Sequence, residues 1–89
     1  MKTYLISYDL DKPGQDYKDL IDRLRQLGAI KVLYSEWVLQ TPASAVQVRD
    51  DLDRFMDAND RILVVALTGE SAWRNLMISS ENFKSSLAA

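Results

Sequence analysis

The chain has 89 residues, a formal net charge of −2 and a sequence pI near 4.9. It contains neither cysteine nor histidine, which excludes disulfides, thiolate or imidazole metal ligands and every catalytic triad that depends on histidine. A metal ion would have to be held by oxygen atoms, which favours Mg²⁺ or Mn²⁺. The small acidic excess disfavours strong binding to duplex nucleic acid, because such binding usually needs a basic surface. This length predicts a single domain.

The first strand leads directly into two carboxylates. Residues 3–8 are mostly β-branched, aromatic or aliphatic, and Asp9 and Asp11 follow. This run predicts a buried strand that carries both carboxylates at its C-terminal end. A side chain with a rigid base and an exposed head suits a functional site. The alternative is that residues 9–13 form a polar loop that only caps the next helix.

A turn at residues 11–15 and a first helix are predicted next, with Asp16 as N-cap and Gly28 as the stop. Apolar residues recur at helical spacing on one face: Tyr17, Leu20, Ile21, Leu24 and Leu27. This spacing predicts that the helix packs its apolar face on a sheet.

Residues 29–41 have the alternation of extended chain, but thirteen residues are long for one strand. We therefore predict two strands joined by a bend near Ser35 and Glu36. A second helix is predicted after Pro42, where Ser44 and Gln47 have the spacing of a capping box. Its buried stripe is Ala45, Val48, Leu52, Phe55 and Met56.

The most continuous apolar run of the chain lies within residues 61–68. It predicts a central strand with both helices on one side. Residues 72–77 form a short apolar element, interpreted as a short C-terminal strand that closes a domain of residues 1–78. Residues 79–89 are predicted to be a polar, flexible tail, in which Phe83 and Leu87 could form one helical turn.

The order strand, helix, strand, strand, helix, strand predicts a ferredoxin-like α+β fold, with an antiparallel sheet and both helices on one face. The other face is then bare, and an apolar face of that size is rarely left to water. We expect a second copy to cover it. The residues expected at this dimer interface are Tyr8, Trp37, Trp73, Leu76 and Met77.

The chain is expected to be cytoplasmic. Its start lacks the pattern of a secretory signal peptide, and no apolar run approaches the ~20 residues needed to span a bilayer.

Four short motifs together resemble a known family. They are Tyr8-Asp9-Leu10 at the end of the first strand, Leu27-Gly28 at the end of the helix, Ser35 ahead of Trp37-Val38, and Asp60-Arg61 before the last strand. Over residues 3–68 the chain resembles the small second CRISPR-associated (Cas) protein family. Its closing segment from Thr68 onward is similar to a stand-alone, SinR-like branch of that family.

The resemblance implies a ferredoxin-like homodimer that works with the Cas integrase in spacer acquisition, a part of antiviral defence. Many members are described as Mg²⁺-dependent nucleases of RNA or DNA. The resemblance maps the family's catalytic and metal-binding aspartate onto Asp9, and it implies that two copies of Asp9 meet in the dimer and share one metal ion. That ion would activate a water for phosphodiester attack. Asp11 would assist, and Arg25, Lys31 or Arg74 would position phosphates.

Other features favour a protein without catalysis. Family members often carry basic residues in and before the first helix, whereas this chain has Asp11, Asp16, Asp19 and Asp22 there. The family's phenylalanine, which follows the serine of the third motif, is replaced in this chain, and Trp37 is the nearest aromatic residue. No helix-turn-helix with a basic recognition helix is present. The alternative function is therefore a homodimeric scaffold or regulatory protein of the same fold, with Asp9 only accepting backbone hydrogen bonds in its loop.

Overall fold

The computed structural model describes residues 1–11 and 17–87. The predicted turn over residues 12–15 and the predicted N-cap Asp16 lie outside these residues. The elements in chain order are β1 (Lys2–Asp9), α1 (Lys18–Gln26), β2 (Ile30–Leu33), β3 (Glu36–Thr41), α2 (Ala45–Asp53), β4 (Arg61–Ala66) and α3 (Ser80–Leu87).

The four strands form one antiparallel sheet in the order β2-β3-β1-β4. With α1 and α2 on one face, this is the predicted ferredoxin-like α+β fold. The expectation that β4 is a central strand is wrong, because β4 lies at the edge. Its apolar run therefore does not reflect burial on both faces. Ile62 and Val64 pack toward the helices, whereas Leu63 between them is 58% exposed.

Several local signals in the sequence are confirmed. Ser44 Oγ accepts from the backbone N–H of Gln47 at 3.1 Å, and the Gln47 side chain accepts from the Ser44 N–H at 2.8 Å, which completes the capping box. Gly28 ends α1 with φ of +88°, a left-handed conformation that glycine adopts without strain. The bend between β2 and β3 falls at Tyr34 and Ser35.

The main core lies between the sheet and the helices α1 and α2. Tyr8 and Trp37 belong to it, with 8% and 2% of their surface exposed, and Trp37 Nε1 donates a hydrogen bond to the Tyr8 hydroxyl at 3.0 Å. Burial raises the pKa of Tyr8, and the bond from Trp37 partly offsets the rise. The expectation that these two side chains lie on a bare sheet face is therefore wrong, because the helices supply their cover.

The C-terminal segment covers part of the opposite sheet face. Phe83 of α3 is buried there against Val32 and Val38, with Trp73 and Leu76 packed around them. Met77 itself is 51% exposed. The chain thus supplies a cover that we expected from a partner. Instead of a flexible tail, residues 80–87 form a helix because Phe83 gains burial on the sheet.

Hydrogen bonds fix α3 on the sheet. The carbonyl of Ser86 accepts from Thr3 Oγ1 at 3.2 Å and from Gln40 Nε2 at 2.6 Å. The backbone N–H of Met77 donates to the Val32 carbonyl at 2.9 Å, so the segment also contacts the β2 edge. The prediction of a short C-terminal strand over residues 72–77 is wrong: within the described residues, the stretch between β4 and α3 contains no strand, and Trp73 and Leu76 pack around Phe83 instead.

Among residues 1–11 and 17–87, no helix combines the length and the apolar character needed to cross a membrane.

Candidate functional site

Asp9 is placed at the end of the central strand β1, as predicted. It lies directly opposite Arg61, the first residue of β4. Arg61 Nη1 is 3.4 Å from Asp9 Oδ2, and the two side chains are 81% and 76% exposed. Such an exposed ion pair contributes only about 0–1 kcal/mol. Asp9 therefore remains accessible to another cation or to a partner.

A hollow of about 210 Å³ lies on the loop side of Asp9. Asp11 and Asn59 line it together with Asp9, so two carboxylate residues and one amide residue border the same space. Magnesium is commonly bound by one or two carboxylates with waters completing its shell, so these residues fit the ion in kind. Across residues 1–11 and 17–87, however, no group of three or more carboxylates is arranged to hold a metal.

Asp60 organises the loops around this hollow. Its Oδ1 accepts from the backbone N–H of Asp11 at 2.7 Å and from the Tyr17 hydroxyl at 3.1 Å. Its Oδ2 accepts from the backbone N–H of Asp57 at 2.7 Å. One carboxylate thus joins the chain after β1, the start of α1 and the turn before β4. In the sequence, Asp60 stands out only as part of the Asp60-Arg61 motif before the last strand, and nothing in that pattern indicates this role.

A second hollow, of about 200 Å³, lies on the sheet side of Asp9. The register places Ser7, Asp9, Glu36, Arg61 and Leu63 on the same sheet face, and we call these five residues the open end. The C-terminal segment contacts β1 nearer its other end. Thr3 donates a hydrogen bond to the Ser86 carbonyl, and Leu5 packs against the cluster around Phe83. The open end consequently exposes an apolar side chain, Leu63, among polar ones.

The predicted phosphate-binding residues do not gather at Asp9. Neither hollow is lined by Arg25, Lys31 or Arg74. Lys31 Nζ instead lies 5.3 Å from the ring centre of Tyr34, in a cation–π contact on β2. The cation beside Asp9 is Arg61. It lies 52 residues further along the chain and is brought there by the pairing of β4 with β1.

The edge strand β4 is a second notable surface. Of the described strands only β1 pairs with it. A groove of about 240 Å³ runs beside it, lined by α2 residues that include Val46, which is 56% exposed. At the opposite edge of the sheet, the bond from Met77 to β2 provides partial cover.

No family model matches the chain. The resemblance to the second CRISPR-associated protein family stays a prediction, and a functional proposal has to be argued from the open end and from β4.

Proposed function

We propose that this protein acts as a homodimer, a scaffold or regulator that joins partners without catalysis of its own. The observation that carries the proposal is the β4 edge, which pairs only with β1 among the described strands and is apolar from position 62 to position 67. Sheet edges normally carry charges, prolines or bulges that prevent pairing with another chain. The resemblance implies an integrase subunit as the protein that such a homodimer would join.

The charges at the open end also favour this function. Asp9 faces the guanidinium of Arg61 in its own chain, and Ser7 Oγ donates to Glu36 Oε1 at 3.2 Å. Each of these groups has a partner within its own chain, and the exposed Asp9–Arg61 pair is weak enough to be exchanged for contacts with another protein. The acidic balance of the chain disfavours a nucleic-acid phosphate backbone as the main ligand.

Sedimentation equilibrium of the full chain tests the proposal. We expect a solution mass of twice 10.2 kDa at micromolar concentration. We also expect no cleavage of RNA or DNA with Mg²⁺ or Mn²⁺ beyond that of an Asp9→Asn variant. A monomer at about 50 μM, a concentration at which a micromolar dimer would form, would contradict the proposal.

A second candidate function is metal-dependent phosphodiester hydrolysis. The observation that favours it is the hollow lined by Asp9, Asp11 and Asn59, whose side chains carry the oxygen atoms that Mg²⁺ prefers. Asp9 and Asp11 would hold a Mg²⁺ ion, and Arg61 would attract the phosphate. When bound, the ion would supply a water of lowered pKa as the nucleophile.

A nuclease assay with matched variants tests this second candidate. Labelled single-stranded RNA and duplex DNA are incubated with and without Mn²⁺, using wild type, Asp9→Asn and the control Asp53→Asn. Asp53 is an exposed aspartate of α2 that does not line the hollow. Cleavage that is lost with Asp9→Asn and kept with Asp53→Asn would establish the nuclease.

A further inference from the structure

We propose that a second copy of this chain pairs edge to edge with β4, in an antiparallel register centred on Val64. The two four-stranded sheets then form one continuous sheet of eight strands. This inference rests on the proposed homodimer and specifies where its two copies meet.

The backbone of β4 determines which groups are free to pair. The N–H of Leu67 donates to the carbonyl of Thr3 at 2.9 Å, and the register continues as Leu5 opposite Val65 and Ser7 opposite Leu63. Antiparallel strands alternate between hydrogen-bonded and non-hydrogen-bonded pairs. The odd-numbered residues of β4 therefore bond to β1. The N–H and C=O groups of the even-numbered residues point away from the sheet.

The residues whose backbone groups point outward are Ile62, Val64 and Ala66. Among the described residues, none of the three makes a backbone hydrogen bond outside the sheet. They are evenly spaced about Val64, so a two-fold axis beside this residue makes the edge self-complementary. Ile62 of each copy then lies opposite Ala66 of the other, and Val64 lies opposite its counterpart. Three hydrogen-bonded pairs of this kind provide six backbone bonds.

Side chains also suit this register. On the sheet face that carries the open end, Leu63 of each copy lies opposite Val65 of the other copy. The exposed leucine thereby gains an apolar cross-strand partner. Arg61 is the one charged residue of β4, and it lies opposite an apolar residue, Leu67, of the second copy. Between the two β4 strands, no charged residue therefore lies opposite a like charge. The exposed Val46 beside the seam is available to contact the second copy's α2.

This arrangement separates the two copies of Asp9. Asp9 lies opposite Arg61, three residues from the axis at Val64 and one strand further in. With a rise of ~3.4 Å per residue and strands ~4.8 Å apart, the two Asp9 Cα atoms are roughly 25 Å apart. Ligand bonds to Mg²⁺ are only about 2 Å long, so one ion cannot bridge these carboxylates. The edge-paired dimer therefore excludes a shared metal ion between the two Asp9 residues.

Sedimentation equilibrium on edge variants tests the contact. Val64→Pro removes an N–H that points outward, so it leaves the bonds to β1 intact while blocking the central pair. Leu63→Lys places a charge on the seam, and Leu33→Lys on β2 is the matched control, since Leu33 is also exposed, at 40%. We expect both β4 variants to weaken the dimer at least about tenfold, a change of ~1.4 kcal/mol. The control should leave the dimer unchanged.

Disulfide cross-linking gives a second, independent measurement. The chain has no cysteine of its own, so each introduced thiol is unique. Leu63 and the second copy's Val65 form a non-hydrogen-bonded pair, with Cα atoms about 4.5 Å apart, which is within reach of a disulfide. Mixing Leu63→Cys chains with Val65→Cys chains should give a cross-linked dimer on mild oxidation. Mixing Leu33→Cys with Val65→Cys should not.

The results separate the inference from the proposed function. A wild-type dimer that Val64→Pro weakens, or that the mixed cysteine chains trap, supports the inference even if one variant fails to fold. A wild-type dimer that survives both β4 variants and gives no cross-link overturns the inference and leaves the homodimer in place. A wild-type monomer overturns both.

Discussion

Arg23 of α1 donates two hydrogen bonds to the carboxylate of Asp51 on α2, at 2.9 Å from Nε to Oδ1 and at 2.7 Å from Nη2 to Oδ2. Arg54 adds a third bond to the same carboxylate, at 2.7 Å. The bonds from Arg23, more than the one from Arg54, lower the pKa of Asp51 from 3.8 to about 2. This two-pronged contact fixes the spacing of the two helices above the sheet.

Replacing Asp51 by Asn should destabilise the fold. The variant loses the ionic character of both arginine contacts, and the Asp51 side chain is only 22% exposed, so water replaces them incompletely. We expect the free energy of unfolding to fall by about 1–2 kcal/mol in urea titrations at pH 7. The control is Asp50→Asn, whose side chain is 61% exposed and pairs with its neighbour Arg49. Equal stability of the two variants would contradict the prediction.

The contribution of Asp51 should also depend on pH. Its pKa is lower in the folded than in the unfolded chain, so the stabilisation is fully present above about pH 4 and is lost as pH falls toward 2. The difference in unfolding free energy between wild type and Asp51→Asn should shrink over this range. Chemical unfolding at intervals from pH 6 to pH 2 measures it. A difference that stays constant over this range would show that folding does not lower the pKa of Asp51.

Tyr8→Phe should destabilise the helix-side core. The change removes the acceptor of the Trp37 indole N–H, and a buried donor without a partner costs about 1–3 kcal/mol. Thermal unfolding followed by tryptophan fluorescence measures the loss. Tyr34→Phe is the control, because Tyr34 is 83% exposed. A Tyr8→Phe variant as stable as Tyr34→Phe would show that the hydrogen bond contributes nothing.

Phe83→Ala should release α3 from the sheet. Phe83 is 8% exposed and contacts Trp73 edge to face, with ring centres 4.8 Å apart. Removing its ring should cost about 3–5 kcal/mol and increase hydrogen exchange of the α3 amides. Lys84→Ala, on the exposed side of the same helix, should change neither quantity. Unchanged exchange in Phe83→Ala would indicate that other contacts hold the helix.

Asp9→Asn should leave the fold unaffected. Both members of the Asp9–Arg61 pair are more than three-quarters exposed, so its loss should change stability by less than about 0.5 kcal/mol. Urea unfolding of the variant checks this. The result also bears on function, since a change in activity of a stable Asp9→Asn variant reports on the site and not on the fold. A large loss of stability would reveal a structural role for Asp9.

The strength of local signals explains which parts of the fold were predictable. The Ser44 and Gln47 capping box, the stop at Gly28 and the order of strands and helices all depend on residues close together in sequence. The faces of Tyr8 and Trp37 depended on which side of the sheet the helices cover. Strand alternation groups residues by face, but it does not say which face meets a helix.

Long-range pairing explains what was missed at the candidate site. Arg61 reaches Asp9, and Asp60 reaches Asp11 and Tyr17, only because the loop before β4 folds back beside the end of β1. No spacing in the sequence encodes these contacts. Likewise, an apolar run resembles a buried central strand whether it lies at the centre or, like β4, at the edge, because composition records the packing of side chains and not the number of neighbouring strands.

The amino-acid sequence by itself determined the ferredoxin-like order of elements, the end of α1 at Gly28, the capping box at the start of α2 and the position of Asp9 at a strand end, because these follow from periodicity, caps and turns within short windows. Only the tertiary structure decided that Arg61 faces Asp9, that α3 covers part of the sheet and that β4 is left at the edge. Those outcomes depend on which distant surfaces gain most by being buried together, a quantity that belongs to the folded chain as a whole.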